Sequence, residues 1–217
     1  MRLTLSPRLS AIAELLADTD SFADVGTDHG KLPVFALQEG IVSKAIATDI
    51  SENSLNKAKL LAEISGVELI TRCGDGLSVL KEGEVETVVI AGMGGLEMIN
   101  ILENAPCSFD NYIFLPHTKS HELRVYLKSR DIGIDKDFLI KESGKFYNLI
   151  TCRISNKWNN ARLYIGEDNV GLKVFLEYYT KRKAQILSLI EIEPANKLRF
   201  ESELTELEEI YNEIKNR

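Results

Sequence analysis

Three glycine-bearing loops, a set of carboxylates and a few histidines are the residues whose types and spacing could do chemistry. The first loop is Asp24-Val25-Gly26-Thr27-Asp28-His29-Gly30. Its glycines permit a tight turn and let a ligand approach the backbone at a helix N-terminus, although glycine between a strand and a helix is also ordinary turn chemistry. Asp49 follows Gly26 by 23 residues. That is near the ~20-residue offset at which an acid meets ribose hydroxyls in nucleoside-binding sheets. A solvated acid beside a capping serine, Ser51, is the plainer alternative. Gly74-Asp75-Gly76 offers a carboxylate to an adenine amino group, or is simply an Asp-Gly turn. Ala91-Gly92-Met93-Gly94-Gly95 has little side chain, as expected where something flat or bulky crowds the backbone, with a flexible turn as the alternative. His117 and His121, in and after Leu115-Pro116-His117-Thr118-Lys119, stand four apart, but nothing nearby completes a ligand set and no metal site is expected.

These loops need a frame that brings them together. Ser6-Pro7 starts a helix carrying Leu9, Ile12, Ala13 and Leu16 at helical spacing. Strands are predicted at 22–25, 44–48, 69–73, 86–91 and 112–115. Helices are predicted around Leu32 and Leu123, and from Ser51 to Gly66. Strands alternating with helices predict a mostly parallel sheet, whose ligands gather at the carboxyl ends of the strands. The runs 137–141 and 146–154, joined at Ser143-Gly144, leave no room for a crossover helix and should pair antiparallel. Beyond Asn159, Leu172, Leu176, Tyr179, Lys183, Ile186 and Ile190, then Leu204, Leu207, Tyr211 and Ile214 after Pro194, alternate spacings of three and four. This is a two-helix antiparallel coiled coil or a pair of amphipathic helices packed on the main body.

Composition narrows the classes. The chain has 217 residues with 44% hydrophobic and 27% charged, enough for a core and about one domain plus an appendage. A formal net charge of -7 excludes a wholly basic nucleic-acid coat or polybasic membrane binder, leaving room for a local basic face. Cys73, Cys107 and Cys152 form neither a disulfide framework nor a zinc module, which suggests a reducing cytosol. No stretch approaches the ~18 uncharged apolar residues of a membrane span, so a cytoplasmic chain without export or anchoring is expected.

In the order of its pieces the sequence resembles the class I S-adenosyl-methionine-dependent methyltransferases: a glycine loop after strand one, an acid after strand two, Gly-Asp-Gly after strand three, and an antiparallel final hairpin. More closely, Ala23-Asp-Val-Gly-Thr-Asp-His-Gly30, Ala91-Gly-Met-Gly-Gly95, Leu115-Pro-His117 and the helical C-terminal arm resemble the bacterial tRNA (adenine-22-N1)-methyltransferases, the TrmK family. The resemblance covers nearly the entire chain. It implies a Rossmann-like seven-stranded α/β sheet, mostly parallel with an antiparallel last strand, in residues 1–159, and a helical coiled-coil domain in 160–217. It implies a monomeric enzyme that methylates N1 of adenine 22 in tRNA with S-adenosyl-methionine as cofactor and no metal.

The resemblance also implies residue roles. Gly26 and its neighbours Asp24, Thr27 and Gly30 face the methionine part of the cofactor, Asp49 and Ile50 the ribose, and Gly74, Asp75 and Gly76 the adenine edge. Ala91, Gly92, Met93 and Gly94 complete the cofactor set. Asp28 replaces the middle glycine of the general Gly-x-Gly-x-Gly loop, though not of the narrower family. Gly92–Gly95 stands where many amino-methylating enzymes carry Asn/Asp-Pro-Pro-Tyr, which argues against methylation of the exocyclic amine. Adenine N1 has a free lone pair, so no base need remove a proton, but the purine becomes cationic. Asp28 is the candidate to stabilise that charge in a dry pocket, or alternatively a helix-capping acid, and His29 an orienting neighbour or a structural imidazole. Arg8, Gly95, Pro116, His117 and Lys119 are expected on the substrate side, with Tyr147 and Asn148 bordering the pocket. Arg2, Lys31, Arg124, Lys128, Arg162 and Lys181-Arg182-Lys183 are further candidates to hold the RNA backbone.

Two rivals share parts of this pattern. A nicotinamide-dependent oxidoreductase has the glycine loop and acid, but Gly26-Thr-Asp-His-Gly30-Lys31 does not meet Gly-x-Gly-x-x-Gly. A noncatalytic module would keep the sheet as scaffold and use the arm to dock a partner.

Overall fold

The computed structural model describes residues 3–166, 168 and 172–216, so Arg2 lies outside it, as does the side chain of Leu172. Seven strands run β1 (Ser21–Val25), β2 (Lys44–Asp49), β3 (Ile70–Cys73), β4 (Thr87–Ala91), β5 (Asn111–Leu115), β6 (Ile134–Glu142) and β7 (Lys145–Arg153). They form one sheet in the order β3-β2-β1-β4-β5-β7-β6, in which β7 runs antiparallel to both its neighbours. The chain steps from β1 towards β3 and then returns to lay β4 on the other side of β1. Strand order therefore reverses between β1 and β4, opening a crevice outside their carboxyl ends.

The centre of the sheet is buried on both faces, which is why Val88-Val89-Ile90 reads as an unbroken apolar run. Val88 and Ile90 point to the face covered by α4 (Gly95–Glu103) and α5 (Ser120–Ser129). Val89 points to the other, covered by α1 (Pro7–Leu15) and α2 (Lys31–Gln38). Beside α2 lies α3 (Glu52–Ser65), which begins and ends as its sequence dictates: the Ser51 hydroxyl accepts from the Ser54 amide, and Gly66 closes the last turn.

The sequence pattern does not announce α4. Met98, Ile101 and Leu102 stand at helical spacing, but over only nine residues, and Gly94-Gly95 supplies no side-chain cap to mark the start of the helix. Its first residue has a specific reason to be glycine. A Cβ on Gly95 would lie 2.2 Å from the Lys119 carbonyl oxygen and 3.2 Å from that of Thr118, to which the Gly95 amide donates at 2.8 Å. Those obstacles are backbone and cannot swing away. Gly95→Ala is therefore expected to lower Tm by about 5 °C, the result of an overpacking cost of about 2 kcal/mol. A melting curve superimposable on wild type would contradict this close approach.

The β6–β7 hairpin turns at Ser143 and Gly144, both with positive φ, as a tight two-residue connection requires. β6 starts three residues before the expected boundary, with a register shift between Ile134 and Lys136 that hides its alternation. The strand also carries Asp137, which is 3% exposed and paired with Arg124, itself 0% exposed. The Arg124 Nε and Nη2 donate to the two Asp137 oxygens at 2.6 and 2.8 Å, Nη2 also to Asn148 Oδ1, and Nη1 to the Tyr164 carbonyl. This corrects the expectation that Arg124 faces RNA: it is an internal clamp between α5, the hairpin and the approach to the arm.

The arm comprises α6 (Leu172–Ile192) and α7 (Lys197–Lys215), with a short turn at Pro194–Asn196 between them. Tyr179 stacks on Tyr211 at 4.3 Å, Lys183 pairs with Glu208 at 2.7 Å and Arg182 with Glu203 at 2.5 Å, a register that makes the helices antiparallel. Ile186, Leu207 and Ile210 fill the seam. At its root Phe175 joins Leu139 and Phe146 of the hairpin. Both readings of the helical pattern thus hold in part: the helices pair along their length and one end is packed on the body.

Candidate active site

The strand tips converge on a cavity of about 780 Å³. At the end of β1, the Gly26 and Thr27 amides both donate to the Thr48 carbonyl, at 2.8 and 3.0 Å, which folds the first loop over the tip of β2. Gly26 sits at φ +74°, and a Cβ there would meet the Met93 methyl group at 2.1 Å, so the first and fourth loops press together. Asp49 locks the second loop to the first: one carboxylate oxygen accepts from the Ser51 amide at 2.8 Å, the other from the Asp28 amide at 3.1 Å. The Gly74 amide donates to the Asp49 carbonyl at 3.0 Å, which brings Asp75 alongside. From the far side, the His117 amide donates to the Met93 carbonyl at 2.8 Å.

Most of the expected residues share this wall: Asp24, Gly26, Thr27, Asp28, His29, Asp49, Ile50, Gly74, Asp75, Gly76, Ala91, Gly92, Met93, Arg8 and His117. Gly30, Gly94, Gly95, Pro116 and Lys119 do not line it. Gly30 lies against Ala58 of α3, Gly94 bridges to Thr118, and Lys119 lines a second cavity together with Tyr147 and Asn148. Thr48, Glu97, Asn100 and Glu142 were not anticipated. Glu97 and Asn100 ride on α4, the unannounced helix. Glu142 meets Arg8 across 134 residues, for which no local signal exists.

Electrostatically the wall is acidic, with Asp24, Asp28, Asp49, Asp75, Glu97 and Glu142 against Arg8 and Lys31. Asp24 is only 6% exposed. Burial pushes its carboxyl up to about 6, opposed by the Thr27 hydroxyl donating at 2.6 Å and reinforced by the Asp49 charge. The Thr48 hydroxyl, also in the lining, is buried with no hydrogen-bond partner among the described residues. Asp28 differs from expectation in two respects. It caps no helix, since α2 begins after Gly30 without a side-chain cap, and its carboxylate is 72% exposed, 3.5 Å from His29 Nε2. In the free chain it therefore sits at a wet mouth rather than in a dry pocket.

Opposite, the Arg8 guanidinium sits over the Tyr147 ring at 4.2 Å, pairs with Glu142 at 3.1 Å and donates from Nη1 to His117 Nε2 at 2.8 Å. Burial, then the Arg8 and Lys145 charges, hold the imidazole below its ordinary value, consistent with a neutral ring accepting at Nε2. The whole arrangement suits a ligand that brings hydroxyls, amino groups and positive charge. Among the described residues no His, Cys, Asp and Glu cluster could hold a metal, and no helix is long and apolar enough to cross a membrane.

Comparison with known proteins gives the same direction. The methyltransferase domain family matches residues 5–150. A tRNA (adenine(22)-N(1))-methyltransferase of Bacillus subtilis is 32% identical over 160 residues, covering 71% of this chain and 67% of that protein. The crystal structure of the B. subtilis m1A22 tRNA methyltransferase TrmK superposes with a TM-score of 0.74 at 28% identity, over 98% of this chain and 99% of that one. M. capricolum TrmK, solved with S-adenosyl-homocysteine, has a TM-score of 0.81 at 24% identity, over 96% and 97%, and shares the fold.

Proposed function

Since the chain belongs to the methyltransferase-domain family and, within it, to the tRNA (adenine(22)-N1)-methyltransferases, we propose that it methylates N1 of adenine 22 in tRNA with S-adenosyl-methionine as donor. The observation that carries this reading is the convergence of Asp49, Asp75, the first loop and the Gly92–Met93 turn on one acidic cavity. Its wall fits the cofactor: carboxylates for hydroxyls, amino groups and a cation, a glycine turn that admits close approach, and the unpartnered Thr48 hydroxyl. When bound, S-adenosyl-methionine supplies a methyl group on a sulfonium, a leaving group that needs no further activation.

The residues of this chain then bind and orient. Asp49 and Ile50 take the ribose side, while Gly74, Asp75 and Gly76 take the adenine edge. Thr27, Gly26 and the Ala91–Met93 turn flank the methionine part. Gly30, Gly94 and Gly95 act one step back, by letting helices and loops approach. On the substrate side Arg8 holds His117 as a neutral acceptor, so the imidazole adds no positive charge where the purine becomes cationic. The acidic wall favours that developing charge, and Asp28 with His29 at the mouth adds to it once docked RNA excludes water. The nucleophile is a ring nitrogen with a free lone pair, so alignment rather than proton removal is the chain's main task. On the same reading residues 1–159 form the cofactor-binding domain and 160–217 the helical domain. The activity is that of one chain in the cytoplasm.

Transfer of label from methyl-labelled cofactor to a tRNA transcript tests the proposal. Label is expected at adenine 22 and absent from a transcript with guanine there, whereas equal labelling of both would overturn the assignment.

The buried acid makes a second expectation. Above about pH 6 Asp24 is ionised and attracts a cation, and below it is neutral. Affinity for S-adenosyl-methionine should thus rise as pH increases towards 6 and level off above it, by roughly tenfold in all for each unit by which the bound cation lowers that pKa. Calorimetry between pH 5 and 8 should show a weaker trend for S-adenosyl-homocysteine, which has no sulfonium charge, and a flat one for Asp24→Asn. Identical slopes for both ligands would remove Asp24 from this role.

A further inference from the structure

A second cavity, about 500 Å³, lies between the hairpin tip, the segment after β5 and the arm, and meets the first at His117. Its polarity is opposite. Lys119, Lys145, Lys181, Arg182 and Arg199 stand in its wall against two carboxylates, Glu122 and Glu203, in a chain whose net charge is -7. Those two carboxylates are already engaged: Lys119 and Arg199 share Glu122 at 3.1 and 3.2 Å, and Arg182 holds Glu203. Among the described residues, the surplus rests on Lys145, which has no ion pair, and on Lys181, which is half-exposed and whose one ion pair is with Glu177 outside the cavity, at 3.4 Å. Aromatic surface accompanies the charge. His121 lies flat on Tyr164 at 4.0 Å, and Lys181 lies over Phe146.

We propose that this second cavity seats the RNA strand adjacent to the target adenosine, with Lys145 and Lys181 holding its phosphates. The inference rests on the methyltransferase reading and deepens it. An RNA strand cannot lay phosphates along the first cavity, where six carboxylates line the wall, yet a base swung into that cavity brings its flanking nucleotides with it. Those nucleotides need cationic partners and ring faces within a few ångströms of the mouth. Cations interleaved with aromatic rings are what binds unstacked single strands. The neighbouring basic cavity offers both, and its size falls in the range of built ligand sites. Lys183 and Arg162, also in the arm, suit this less, because Lys183 is tied to Glu208 and Arg162 to Glu213.

The test is steady-state kinetics of the full chain carrying Lys145→Glu with Lys181→Glu on a tRNA transcript, beside calorimetry with S-adenosyl-methionine. KM for tRNA is expected to rise at least tenfold, with kcat and cofactor affinity within twofold of wild type. The slope of log KM against log salt should shrink by about 1.4, the value for two lost phosphate contacts on a single strand. Lys57→Glu, which changes charge at a position lining neither cavity, should leave KM unchanged. If charge reversal unfolds the chain, Lys145→Gln with Lys181→Gln carries the same test, with the same loss of slope. An unaltered KM and slope in a variant that binds cofactor normally would overturn the proposal. Absence of methyl transfer by the wild-type chain would instead defeat the reading on which it rests.

Discussion

Asp49→Ala should weaken cofactor binding by at least a hundredfold while leaving the sheet intact. The carboxylate is the point at which two loops are joined, through the Ser51 amide at 2.8 Å and the Asp28 amide at 3.1 Å. Asp28 holds a positive φ of 52°, uncommon for a residue with a side chain, and its amide bond to Asp49 helps keep it there. Removing the carboxylate thus loses the proposed ribose acceptor and releases the turn that shapes the neighbouring wall. Hydrogen bonds to a charged group contribute about 1.5–3 kcal/mol each, so the loss of one or two reaches the 2.7 kcal/mol that corresponds to about a hundredfold in Kd. Asp49→Asn keeps an acceptor but turns an amino group towards an amide N–H, and should fall between. Calorimetry reads the affinities, and circular dichroism checks that the overall fold persists. Wild-type affinity in Asp49→Ala would mean that the ribose is held elsewhere.

The largest stability effect is expected at Arg124. Arg124→Met leaves Asp137, 3% exposed, without its guanidinium and abandons the bonds to Asn148 and the Tyr164 carbonyl. Breaking a buried ion pair on one side costs about 3–5 kcal/mol, which for a chain of this size lowers Tm by roughly 10–15 °C. The double variant Arg124→Met with Asp137→Leu should recover at least half of that loss, because the buried carboxylate is then removed together with its guanidinium. Methylation should fall with the single variant, since the hairpin it clamps carries Glu142 and Lys145. A decrease of under 1 kcal/mol in urea unfolding would show that water reaches Asp137 and that the clamp is not dry.

What was legible in the chain follows from how local each signal is. Ser51 with Gly66 marks both ends of α3, and Ser143-Gly144 marks the hairpin turn, because caps and turns are written in adjacent residues. The carboxyl-end loops were readable for the same reason, since each motif sits directly after its strand. Pairings over long separations were not: Arg8 with Glu142, or Arg124 with Asp137, shows nothing in sequence until the sheet order places the hairpin beside β5. Arg124 read as a solvent-facing cation because a lone arginine on an amphipathic helix carries no mark of its burial. The shortness of α4 and its uncapped glycine start concealed a helix and, with it, Glu97 and Asn100 of the cavity wall. The 72% exposure of the Asp28 carboxylate depends on what packs around the first loop in three dimensions and has no counterpart in the adjacent residues.

The most direct measurement is a crystal structure of the chain with S-adenosyl-homocysteine. Density is expected in the acidic cavity, with the ribose hydroxyls on the Asp49 carboxylate, the adenine beside Asp75, and the sulfur facing the mouth bounded by Asp28 and His117. Density for the nucleoside in the basic cavity, or on a surface away from Asp49, would contradict it.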